Sequence, residues 1–161
     1  MSGNAPKIET PSLLGAKVAI ISASWHREIC DALVAGAKRA LGEAGVTEAN
    51  PIYVPGSFEL PLAAQFALNA GADAAVVIGV VLRGETPHFD YVCQGVTDGV
   101  MQVSLKLDKP IGFGVLTVDT VEQALARSGA PGSKEDKGYD STIAALDLLR
   151  VKRDLGDRFG K

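Results

Sequence analysis

Short, nearly unbroken apolar runs alternate along this chain with longer stretches in which apolar residues recur every three or four positions. KVAIISAS (17–24), NPIYVP (50–55), AAVVIGVVL (74–82) and IGFGVLTV (111–118) have the length and content of buried strands. After the first run, Ile29, Leu33, Ala37, Ala40, Leu41 and Ala44 follow helical spacing, and Gly45 suits the stop. A second helix is predicted from Ser57, with Leu60, Ala64, Ala67 and Leu68 on one face and Gly71 at its end. Pro61 is tolerated there because amides near the first turn of a helix have no partner within it. Val92, Val96, Val100, Val103 and Leu107 form the stripe of a third helix over about 90–107. Asp119, three residues before Glu122, predicts a reciprocal cap for a short helix ending near Gly129. GAPGSKEDKG (129–138) reads as a polar loop, and a last helix is expected from near Asp140 to about Arg153, with a frayed tail behind it.

The order is therefore β-α-β-α-β-α-β-α-α. Strands without polar alternation, separated by amphipathic helices, predict a parallel sheet covered on both faces. Right-handed crossovers then give an α/β fold of the flavodoxin-like type, a three-layer α/β/α sandwich on a four-stranded parallel sheet. The expected division is a flexible arm over 1–12, a single domain over 13–154 and a tail over 155–161.

Composition narrows the function classes. The chain has 161 residues, 47% of them hydrophobic, and a formal net charge of −3. Such a chain packs a core and is neither disordered nor a small disulfide scaffold. Mild acidity speaks against nucleic-acid binding. No stretch approaches the ~20 apolar residues of a membrane span, and the amino terminus lacks the apolar core of a signal peptide. Cys30 and Cys93 stand apart, which points to a reducing, cytoplasmic setting with both thiols as small core fillers.

Ligands of open parallel sheets bind beyond the carboxyl ends of the strands. That rule selects residues 24–26, 55–61, 81–92 and the turn after Val118. The single tryptophan, Trp25, and both histidines, His26 and His88, fall in these segments. His88 can exchange protons near neutrality or simply cap the helix beside it. His26 reads as a helix-start residue. Trp25 is either core or a platform for a flat heterocycle. Phe113 is a core residue by periodicity. The GET loop offers main-chain amides and the Thr86 hydroxyl at a helix start, an anion site by local charge. Arg83 and Arg127 are candidates for the countercharge. Nucleotide-binding glycine loops, HExxH and GxSxG are absent from the sequence, and the scattered His and Cys make no zinc site.

SWHREICDALVAGA (24–37), VPGSFELPLAAQ (54–65), GVVLRGETPHFDYVCQGVTDG (79–99), GVLTVDTVEQALARSG (114–129) and EDKGYDSTIAAL (135–146) together resemble the lumazine synthases, over about residues 13–153. The resemblance implies condensation of 5-amino-6-(D-ribitylamino)uracil with 3,4-dihydroxy-2-butanone 4-phosphate to 6,7-dimethyl-8-ribityllumazine, the penultimate step of riboflavin synthesis, without metal or organic cofactor. It implies that Trp25 stacks on the pyrimidine and that Ser57, Phe58, Glu59, Val80, Val81 and Leu82 meet the ribitylamino-uracil. Glu85 and Thr86 become the phosphate loop, with the Glu85 side chain expected to point away and only its amide used. His88 becomes the proton-transfer residue. Phe113, Arg127 and Lys137 are expected to come from the neighbouring subunit, with Arg127 on the phosphate. The long, proline-containing segment SGAPGSKEDKG (128–138) resembles members that stop at a homopentamer rather than closing a sixty-subunit shell. The rivals are a non-catalytic carrier of a flavin or lumazine and a purely shell-forming paralogue on the same fold.

Overall fold

The computed structural model describes residues 9–46 and 50–160. The arm reading for residues 1–8 lies outside the described residues. Four strands, β1 (Val18–Ala23), β2 (Ile52–Val54), β3 (Ala74–Leu82) and β4 (Ile111–Val118), make one parallel sheet in the order β2-β1-β3-β4. The helices are α1 (Arg27–Glu43), α2 (Leu60–Asn69), α3 (His88–Leu107), α4 (Val121–Leu125) and α5 (Lys137–Phe159).

Two apolar layers flank the sheet. Ile29, Leu33, Ala37 and Leu41 of α1 and Ile143, Leu146 and Leu149 of α5 pack on Val18, Ile20, Val76 and Ile78. Leu60, Ala64 and Leu68 of α2 and Val96, Val100 and Val103 of α3 pack on Ile21, Ala75, Val77 and Val115 from the other side. Central β3 is buried from Ala74 to Val81 because both layers cover it, which is why its sequence shows no alternation. On edge strand β4, alternation returns through small residues. A Cβ at Gly112 would overlap the main chain of Ser141, so Gly112 lets α5 lie close. Phe113 points the other way and stays 39% exposed, because β4 is the sheet edge and α3 does not cover it. The periodicity reading of Phe113 as core is corrected on that ground.

Several element ends differ from the sequence reading: α2 starts at Leu60, behind a tight 3-10 turn over Ser57–Glu59, and α4 ends at Leu125 rather than near Gly129. The α4 cap is Thr120, whose hydroxyl accepts from the Gln123 amide at 3.3 Å, while the Asp119 amide donates to the Gln123 side chain at 2.9 Å. The last helix begins at Lys137, not near Asp140, because Asp136 caps it by accepting from the Tyr139 amide at 2.8 Å. It then runs to Phe159 instead of fraying after Arg153. The i,i+4 pair Arg150–Asp154 at 2.6 Å supports that extra length.

The β1 chain leaves towards α1 on one face and the β3 chain towards α3 on the other. The carboxyl ends of these adjacent strands therefore open a crevice between diverging connections.

Candidate active site

That crevice holds a cleft of about 800 Å³. Trp25 and His26 follow β1, and Pro55 to Glu59 follow β2. Val80, Val81, Leu82, Arg83 and Gly84 end β3, and Thr86, His88, Phe89, Tyr91 and Val92 open α3. Four chain segments thus meet at one sheet edge.

Each wall has a local cause. Trp25 is 69% exposed, so it is no core residue; its main-chain carbonyl accepts from the buried Cys30 thiol at 3.3 Å. Burial pushes the Cys30 thiol up to about 11, so it stays neutral and inert near neutrality. His26 takes a left-handed conformation, φ 53°, to turn the chain into α1. This agrees with its reading as a helix-start residue. The Glu59 carboxylate accepts from the Gly56 amide at 2.8 Å and closes the turn Ser57–Glu59. Gly95 of α3 leaves the space in which the Phe58 ring lies. Ser57 is packed against Gly79, and its hydroxyl is buried with no partner among the described residues.

The loop before α3 presents amides to solvent. Those of Gly84, Glu85 and Thr86 have no acceptor among the described residues, and they lead into a 20-residue helix. Partial positive charge at that helix start favours an anion. Glu85 is exposed and does not line the cleft.

The two candidate arginines part company here. Arg83 donates to Asp119 at 2.7 Å, lies 3.5 Å from Asp90 and stacks on the Phe89 ring at 4.1 Å. The Asp119 hydrogen bond raises its pKa further, and two carboxylates already answer its charge. Arg127 instead donates to the Gln123 carbonyl at 2.8 Å, a neutral acceptor. The Glu135 carboxyl, held below its usual range first by Lys137, also feels the Arg127 charge, but no ion pair closes on Arg127 among the described residues.

Arg127, Phe113 and Lys137 do not line the cleft formed by their own chain. Phe113 sits in mid-strand opposite Val77 on the edge of the sheet. Arg127 follows α4. Lys137 opens α5, with its ammonium 2.5 Å from Glu135 and 3.2 Å from Asp140. The hydrogen bond to Glu135, and then the one to Asp140, hold it charged above the usual lysine range. The structure therefore brings together Trp25, Ser57, Phe58, Glu59, Val80, Val81, Leu82, Thr86 and His88, leaves Glu85 beside the cleft, and sets Phe113, Arg127 and Lys137 elsewhere.

Tyr91 and Val92 are wall residues that the sequence reading did not assign to the site, Val92 having been read only as part of the α3 stripe. They stand three and four places after His88, on the same helical face, so the spacing carried the signal. Among the described residues no cluster of three or more His, Cys, Asp or Glu is placed to hold a metal ion, and no helix is long and apolar enough to cross a membrane.

Comparison with known proteins places these features in a family. The model of the 6,7-dimethyl-8-ribityllumazine synthases matches residues 15–153. A protein of that name from Streptomyces coelicolor is 50% identical over 158 residues, covering 98% of each chain. One from Kineococcus radiotolerans is 54% identical over 154 residues, 95% of each chain. One from Frankia casuarinae is 54% identical over 157 residues, 96% of this chain and 98% of the relative. With a matched span that runs from before β1 to within α5, and whole-length relatives at half identity or better, the chain belongs to the 6,7-dimethyl-8-ribityllumazine synthase family.

Proposed function

We propose that this chain condenses 5-amino-6-(D-ribitylamino)uracil with 3,4-dihydroxy-2-butanone 4-phosphate, releasing inorganic phosphate and water, in the cytosol and as a homopentamer. The observation that carries the reading is the meeting, in one cleft, of an exposed indole, an imidazole and a row of unpartnered amides. A flat heterocycle, a proton and a phosphate are the three things such a cleft accommodates.

The substrates bring their own nucleophile, electrophile and leaving group. The uracil's aromatic amine attacks the ketone carbon, and the carbinolamine loses water to an imine. Loss of phosphate then leaves an electrophile on which the second amine closes the ring, with loss of further water. What remains for the protein is to align two molecules and move protons, tasks worth many orders of magnitude when geometry is good.

Trp25 stacks on the pyrimidine. Ser57, Phe58 and Glu59, with the β3 end at Val80, Val81 and Leu82, hold the ribitylamino-uracil edge. The Ser57 hydroxyl, unpartnered and packed against Gly79 of β3, gains an acceptor or donor when the uracil binds. The amides of Glu85 and Thr86 hold phosphate at the start of α3. His88, exposed on the first turn of that helix, takes the proton from the carbinolamine nitrogen and returns it to the departing hydroxyl. Arg127, Phe113 and Lys137 serve the cleft of the next subunit, Arg127 by a forked contact with the phosphate. Their position away from the cleft of their own chain supports this assignment. The long loop over 128–138 supports a pentamer over a closed shell.

The test is to mix purified protein with both substrates and follow lumazine absorbance together with free phosphate. Acceleration over the spontaneous condensation is expected. No acceleration would leave a carrier or a scaffold.

A further inference from the structure

Asp136 occupies a junction that the assigned roles do not use. Its carboxylate is 17% exposed and makes two directed bonds. It accepts from the Tyr139 amide at 2.8 Å, which starts α5, and from the Arg39 guanidinium at 2.7 Å, which reaches over from α1. Two glycines exist around it. A Cβ at Gly36, inside α1, or at Gly129, where φ is +76°, would overlap the Asp136 carboxylate. Gly36 gives up helix propensity in mid-helix, and admitting this side chain accounts for it. Gly138 next door has no room for a Cβ either, because the Leu33 main chain lies against it.

The main chain around Asp136 is tied to the residue that faces the neighbouring cleft in the proposed function. The Lys137 amide donates to the Arg127 carbonyl at 2.9 Å, and the Gly129 amide donates to the Glu135 carbonyl at 3.1 Å. The Lys134 and Glu135 amides both donate to Ala126 at 3.0 Å. Ser128 and Asp136 form an isolated antiparallel bridge. Arg127 and Lys137 are therefore the two ends of one closed loop, and the half-buried Asp136 carboxylate ties that loop to α1 through Arg39.

We infer that Asp136 is a positioning residue for the reaction: through Arg39, the α5 cap and the space left by Gly36 and Gly129, it sets the register of the loop that presents Arg127 and Lys137 to the phosphorylated substrate. This rests on the reading of Arg127 as a phosphate ligand. A carboxylate next to two cations looks counterproductive for anion binding. Here it is turned inward on Arg39 and the helix cap, so its charge is spent before it reaches the ligand.

The experiment compares D136A, D136N and G36A with R127A in the assembled enzyme. It measures kcat and KM for each substrate, and amide hydrogen exchange over 126–137. G36A displaces the carboxylate without removing it and improves α1 propensity, so it separates loop register from general stability. D136N keeps a cap acceptor for Tyr139 and loses only the charge on Arg39. Misplacing a substrate ligand by about 1 Å can cost up to ~10²-fold, so D136A and G36A should raise KM for the phosphorylated ketone about tenfold. The uracil KM should hold, and exchange at residues 129 and 134–137 should quicken. D136N should recover most of the native value. If R127A shows the selective KM rise while D136A and G36A keep native KM or native exchange, the positioning role is overturned and the phosphate reading stands. If R127A itself raises both KM values equally, the phosphate reading falls and the inference falls with it.

Discussion

Two regions of this molecule hold the candidate site residues, and they are built differently. At the carboxyl ends of β1 and β3, residues from four segments converge because the topology diverges there. Around β4, α4 and the start of α5, Phe113, Arg127 and Lys137 stand on the surface of the same chain and do not face that cleft. The first region is a complete concavity with no free cation: Arg83 is answered by Asp119 and Asp90. The second has a cation whose hydrogen bond goes to a neutral carbonyl and which acts on Glu135 only through space, and an aromatic ring left uncovered at a sheet edge. The difference teaches that each region lacks what the other has. In the proposed function, a phosphate at the Gly84–Thr86 amides draws its cation from the next subunit, and that subunit contact covers Phe113.

The sharpest way to break this complementarity is to separate the chains. Phe113→Asp places a charge on the exposed ring position, and burying an unpaired carboxylate at a contact is prohibitive. Sedimentation should show smaller species, with turnover falling to the spontaneous rate although the cleft stays intact. A fully active dissociated chain would mean that the second region has no part in catalysis.

Next in size is His88→Ala. General acid–base catalysis contributes roughly 10²–10⁴-fold, and substrates that already condense unaided call for the lower end, about 10²-fold in kcat. Unchanged kcat would reduce His88 to a helix-start residue.

Trp25→Ala should weaken uracil binding about tenfold, on the scale of one aromatic stack of ~1–3 kcal/mol, with Trp25→Phe nearly native. Titration calorimetry with the uracil alone reads this directly. An effect confined to the phosphorylated ketone would place the indole in the wrong half of the cleft.

Ser57→Ala carries the smallest effect and the most telling sign. It removes a buried hydroxyl with no partner, so the unliganded protein should melt no lower, or be up to about 1 kcal/mol more stable, while uracil affinity drops. Loss of stability without loss of affinity would assign the hydroxyl to the fold.

Much of the fold was legible because buried parallel strands and striped helices write themselves in the period of the apolar residues. The helix ends were less so. Asp108 closes α3 in a left-handed conformation where a glycine would be expected. Gly156 did not stop α5, which runs on to Phe159. Within the cleft, Trp25, Thr86 and His88 were legible as unusual residues at strand ends. Val92 was hidden inside an apolar stripe, and Tyr91 sat beside it on the exposed flank. Asp136 was not legible at all. Its role depends on α1 packing against α5, and its partner Arg39 lies 97 residues away, a distance over which local pattern carries no information. Phe113 was misjudged for a related reason: periodicity tells which face a strand residue takes, not whether a helix covers that face at the sheet edge.

The central claim is that one working cleft draws His88 from one chain and Arg127 from the next. The direct measurement is subunit complementation: dissociate the impaired variants H88A and R127A, co-assemble them in equal amounts and assay the mixture at a phosphorylated-ketone concentration below the R127A KM. In a ring with head-to-tail contacts, about a quarter of the clefts then pair an intact His88 with an intact Arg127. Recovery of about that fraction of native activity is the expected result. A mixture no more active than its two components would contradict the claim and return both residues to a single chain.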